Sequence, residues 1–116
     1  MAFRKLKHHY HDSTLLEWRM ESGHDVALVF SLYVPGSPGE HIVTVLLTGV
    51  RDPGQVSGFL RRAEAVSRST DSVADECDFG YAKSGSAEGK HCLDLCLYSC
   101  PEPNELEIVC DAVREF

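Results

Sequence analysis

Basic residues are scarce in this chain: 11 Lys and Arg stand against 18 Asp and Glu, a formal net charge of −7 at pH 7. Nucleic acid and anionic membrane surfaces are therefore unfavourable partners, since both are held by clustered cations. Long apolar runs are missing as well. No stretch nears the ~20 residues that cross a bilayer, and the opening MAFRKLK runs into the polar HHYHDS where a signal peptide needs an apolar core. There is no P-loop, no G-x-G-x-x-G and no G-x-S-x-G elbow, so phosphate and acyl-transfer chemistry have no visible site. Five cysteines include no C-x-x-C pair, and an odd count does not suit an extracellular disulfide framework. These absences predict a cytoplasmic, non-catalytic protein without a cofactor.

What is present is ordinary for a globular domain. A chain of 116 residues, 43% hydrophobic and 25% charged, predicts a single domain over residues 1–116 with enough apolar surface for a core. In LLEWRMES (15–22), Leu16, Trp18 and Met20 alternate with charged residues, the period of a strand with one wet face. SGHD turns the chain. VALVFSLYV (26–34) and HIVTVLLTGV (41–50) are apolar on both sides and rich in β-branched residues, which marks covered strands. Further strand patterns occupy 73–82, 91–100 and 106–113.

One segment has helical period. In DPGQVSGFLRRAEAVSR (52–68), Asp52 is placed as an N-cap, Pro53 suits the first helical position, and Val56, Phe59, Leu60, Ala63 and Val66 form one apolar stripe. The order βββαβββ predicts an α+β fold: a mainly antiparallel sheet of about six strands, open or curled toward a sandwich or barrel, with one helix between strands three and four.

Three clusters could carry chemistry. On an extended backbone His9 and His11 of HHYHDS would point the same way, so the pair is a candidate metal site lacking an assigned third ligand. HYHD resembles the H-x-H-x-D segment of metallo-β-lactamase-like hydrolases, but an intervening residue, a following histidine and much of the chain length are missing. Cys92, Cys96 and Cys100 would share one face of a strand, and core packing explains them more simply than ligation. Residues 71–116 hold eleven acids against Lys83, Lys90 and Arg114, a dense negative charge that suits a basic partner.

HDSTLLEW, the strand VTVLLTGV with its Gly49 to Val50 step, and the closing LEIVCDAV resemble a set of small bacterial β-rich domains that open with H-D-S-x-L. The matching positions are His11, Asp12, Ser13, Leu15, Gly49 and Val50, and the helical insert and the many cysteines depart from the pattern. Several families of this kind are immunity proteins of polymorphic toxin systems. The resemblance implies a non-catalytic inhibitor that binds a cognate basic protein, such as a toxin or nuclease domain. Asp71, Asp75, Glu76, Asp78, Glu102, Glu105 and Glu107, with Tyr81 nearby, are the expected protein-binding set. Two alternatives remain: a metal-binding protein or enzyme using His9 and His11, and a homodimer burying its two-sided strands.

Overall fold

A computed structural model describes residues 6–34, 36, 41–70, 75–82, 90–98 and 104–116, without the side chains at 66–70 and 75–76. The elements are β1 Ser13–Met20, β2 Val26–Ser31, β3 Ile42–Thr48, α1 Pro53–Thr70, β4 Asp75–Tyr81, β5 His91–Leu97, β6 Glu105–Cys110 and β7 Ala112–Glu115. The seven strands among the described residues form one antiparallel sheet in the order β6-β5-β4-β1-β2-β3-β7. The α+β, mainly β architecture agrees with the sequence pattern, including the helix between strands three and four.

The count differs by one strand, for a reason at Asp111. LEIVCDAV is two strands: β6 pairs with β5 at one edge of the sheet, and β7 pairs with β3 at the other. In a flat sheet of seven strands those edges would lie roughly 29 Å apart, six steps of about 4.8 Å. Only Asp111 separates them in the chain, a reach of about 7 Å. The sheet must therefore curl until its edges meet at Asp111, whose N–H donates to the Thr48 carbonyl at 2.8 Å. It is not closed, because beyond this corner no strand pairs with the outer side of β6 among the described residues.

Gly49 makes the corner possible. Its φ is 66°, in the left-handed region, and a Cβ there would overlap the Asp111 carboxylate. Asp25 holds it from the other side, its Oδ1 accepting the Gly49 N–H at 3.1 Å.

The concave face carries the core. Val26, Leu28 and Phe30 of β2, Val43, Val45 and Leu47 of β3, Leu93, Leu95 and Leu97 of β5, and Leu106, Ile108 and Cys110 of β6 alternate inward and are buried. Helix α1 supplies Val56, Phe59, Leu60 and Ala63 from one stripe to the same core. Its start is capped as its sequence predicts, with Asp52 Oδ1 accepting the Gln55 N–H at 3.1 Å. Trp18 fastens β1 to the helix by donating from Nε1 to Glu64 at 2.6 Å.

Strand β1 is irregular. Leu15 lies opposite Phe30 and Glu17 opposite Val29, so Leu16 is the extra residue of a β-bulge. The bulge sets Leu15 rather than Leu16 on the side of Trp18: Leu15 packs against the core and Leu16 is 48% exposed. Strict alternation of Leu16 with Trp18 is thereby corrected.

Candidate functional site

HHYHDS is a compact turn and not an extended strand. The Ser13 N–H returns to the Tyr10 carbonyl at 3.2 Å, and the buried Ser13 hydroxyl donates to the same oxygen at 2.6 Å. Tyr10, which reads as polar chain in the sequence, is core: its ring makes edge contacts with Phe30 and Phe79 at 5.0 and 5.5 Å. Its hydroxyl donates to Glu115 Oε1 at 2.6 Å, and burial together with that bond pushes its pKa above the usual tyrosine value. Glu115 also accepts the Lys7 and His8 amides, so one carboxylate ties the N-terminal arm to β7.

Because the segment turns, His9 and His11 do not project from a common strand. His11 instead meets two carboxylates: Nδ1 lies 2.6 Å from Asp78 Oδ1 and Nε2 lies 3.4 Å from Asp12 Oδ2. Asp12 reaches this place with φ 57°, a left-handed conformation that Asp tolerates better than most residues. One ligand atom from each of His11, Asp12 and Asp78 lies within 4.8 Å of the others, close enough to share a cation. Asp78 further accepts the Asp12 N–H at 3.2 Å and the Tyr98 hydroxyl on its other oxygen. Partial burial pushes the Asp78 carboxyl up, but the Tyr98, His11 and Asp12 bonds outweigh it and hold the carboxyl below its ordinary value.

Asp78 begins a larger acidic surface. The register sets Asp78 beside Cys96 and Cys96 beside Glu105, while the next row sets Gly80 beside Asp94 and Asp94 beside Glu107. With side chains alternating, these residues share the convex face of β4, β5 and β6. Gly80 leaves a hollow of about 400 Å³ edged by Asp78, Asp94, Tyr98 and Glu105. Burial, and then repulsion from Glu107 and Glu105, raise the Asp94 pKa. The Cys96 thiol is raised by burial and by Glu105 and Asp78. Like charges directly opposite on a sheet oppose folding, so this face is not arranged for stability alone.

Of the expected protein-binding residues, the structure brings Asp78, Glu105 and Glu107 onto this face. Asp75 and Glu76 lie on β4 with their side chains outside the described residues, as are Asp71 and Glu102 altogether. Tyr81 borders the hollow while its ring belongs to the other side of the sheet. It alternates inward with Cys77 and Phe79, packs against the core, and its hydroxyl lies 2.7 Å from His91 Nδ1. The aromatic on the acidic face is Tyr98, 43% exposed. Asp94 and Tyr98 were legible as outward positions from the alternation of HCLDLCLY, but only the pairing of β5 between β4 and β6 sets them among the other acids. Of the three cysteines predicted to share a face, Cys92 is buried, Cys96 is half-buried and Cys100 lies outside the described residues.

Compared with protein-family models, curated proteins and solved structures, the chain finds no match in any of the three. Among the described residues no helix is long and apolar enough to cross a membrane.

Proposed function

We infer that this protein is an acidic protein-binding module, acting as an immunity or antitoxin-like inhibitor of a basic partner such as a nuclease toxin. One observation carries the reading: Asp78, Asp94, Glu105 and Glu107 stand on one convex face beside an exposed tyrosine. Such a face attracts a cationic partner over a Debye length, and Tyr98 offers an aromatic anchor once the two surfaces meet. Keeping like charges together costs folding energy that binding of a basic surface would offset.

The test is co-expression with the product of the neighbouring reading frame. A salt-sensitive complex that protects the host, and that is lost on combining Asp94→Lys, Glu107→Lys and Tyr98→Ala, supports the reading. A neighbour that neither co-purifies nor is neutralised by the unchanged chain sinks it.

A second reading rests on His11, Asp12 and Asp78. Here His11 Nδ1–H would donate to Asp78 while Nε2 and Asp12 hold a divalent cation, the usual arrangement of a carboxylate fixing a histidine ligand. Metal analysis of protein purified without a His-tag, before and after His11→Ala, separates it from the binding reading.

A further inference from the structure

Among the described residues, the curl of the sheet leaves part of β6 without a strand partner on its outer side. In an antiparallel strand the N–H and C=O of a residue point to the same side, and the side alternates along the chain. The Val109 carbonyl points away from β5, because it accepts the Arg51 N–H at 2.8 Å. The Asp111 N–H points the same way, to Thr48. By the same alternation the backbone groups of Glu107 and Glu105 face outward, and the pairing on the other side agrees: the Leu97 N–H donates to the Asn104 carbonyl, the register that turns Leu106 and Ile108 toward β5. Thus β3 and the link to α1 occupy the outward side at Asp111 and Val109. Past them, none of the described strands covers Glu107 and Glu105.

A groove of about 360 Å³ runs along this edge, bounded by Val50, Arg51, Asp52, Gln55 and Val56 opposite β6. We propose that it receives one short extended segment of a basic protein partner, which adds to β6 as a further antiparallel strand. The proposal rests on the binding reading above and gives it a mode of recognition. An added strand would complete the outward N–H and C=O groups of Glu105 and Glu107. Its alternate side chains would stand opposite the two glutamates on the convex face, where Lys or Arg pairs favourably. The intervening side chains would turn toward Asp52 and Gln55 above the buried Val50 and Val56, where small side chains fit. The recognised segment therefore alternates basic and small residues. A second copy of this chain is a poorer occupant, since β6 paired with β6 sets glutamates against glutamates.

A peptide of alternating Lys and Val tests this against the full-length chain, beside a twin N-methylated at the amides that would face β6. Fluorescence anisotropy reads affinity and amide hydrogen exchange reads the edge. The unmodified peptide should bind and slow exchange at Glu105 and Glu107, and the twin should bind about tenfold more weakly, the loss expected for two backbone hydrogen bonds. Glu107→Pro, which removes an outward N–H without touching the ladder to β5, should lose as much, while Glu107→Gln loses less. Equal binding of the twin, or binding with the edge amides unchanged and only the Asp94 and Tyr98 surface perturbed, overturns strand addition and leaves an acidic docking face standing. No binding of either peptide also overturns it, and the co-expression experiment then decides the broader reading separately. Should Glu107→Pro not fold, the peptide pair on the unchanged protein still decides.

Discussion

At the scale of the residue, environment rather than identity decides each role. Two residues of HHYHDS, Tyr10 and Ser13, are buried, while His11 and Asp12 next to them are exposed. Burying the Tyr10 ring contributes roughly 2 kcal/mol, which explains why a polar-looking string is anchored so firmly. Asp94 is the opposite case, an acid held among acids. Its folded pKa is raised, so its neutral form favours the folded state: the contribution is fully present below its unfolded pKa and is lost as pH rises through the folded value. At neutral pH the charged Asp94 therefore costs stability, by no more than a fraction of ~1 kcal/mol after solvent screening. Asp94→Asn should raise the melting temperature slightly at pH 7, and the gain should vanish in melts below about pH 4, near the ordinary aspartate pKa. A stabilisation independent of pH would contradict the assigned repulsion.

At the scale of the element, β1 shows how one inserted residue reassigns a strand. Periodicity places Leu16 with Trp18, whereas the bulge gives that position to Leu15. Leu15→Ala should cost about 1–2 kcal/mol in chemical denaturation, part of the penalty of a fully buried leucine. Leu16→Ala should fall within about 0.5 kcal/mol of the parent. The reverse order would mean that β1 pairs without the bulge. Helix α1 needs no such revision, because its cap and its stripe both depend on residues close together in the chain.

At the scale of the whole molecule, curling gives the two faces of the sheet different chemistry. Cys77 and Cys110 are buried in the core, Cys92 is buried although it alternates onto the same side of β5 as Cys96, and burial followed by the Asp111 charge pushes the Cys110 pKa up to about 11. Cys96 is half-buried on the acidic face. Among these four, native-state alkylation followed by peptide mass mapping should find Cys96 modified first. A neutral reagent should outpace an anionic one there, and salt should narrow the gap as it screens Asp78 and Glu105. Prior labelling of Cys110 would show the core to be open. Equal rates for the two reagents would show that the face lacks the negative potential on which partner attraction depends.

Local signals settled much of this protein from its sequence. The class of fold, the helix with its Asp52 cap, the largely buried strand β2 and the acidity of the C-terminal half follow from periodicity, capping and charge, which act within a few residues, whereas β3, apolar on both sides, is buried on one side only and leaves Ile42 52% exposed. Tertiary structure alone decided the break at Asp111, the bulge at Leu16, the burial of Tyr10 and the packing of Tyr81 against the core. It also joined His11 to Asp78 and lined up Asp78, Asp94, Glu105 and Glu107. Each depends on which strands lie side by side and in what register, and a shift of one residue would send every side chain of a strand to the other face. Pairing between distant segments is a property of the packed sheet, and no local pattern in the chain encodes it.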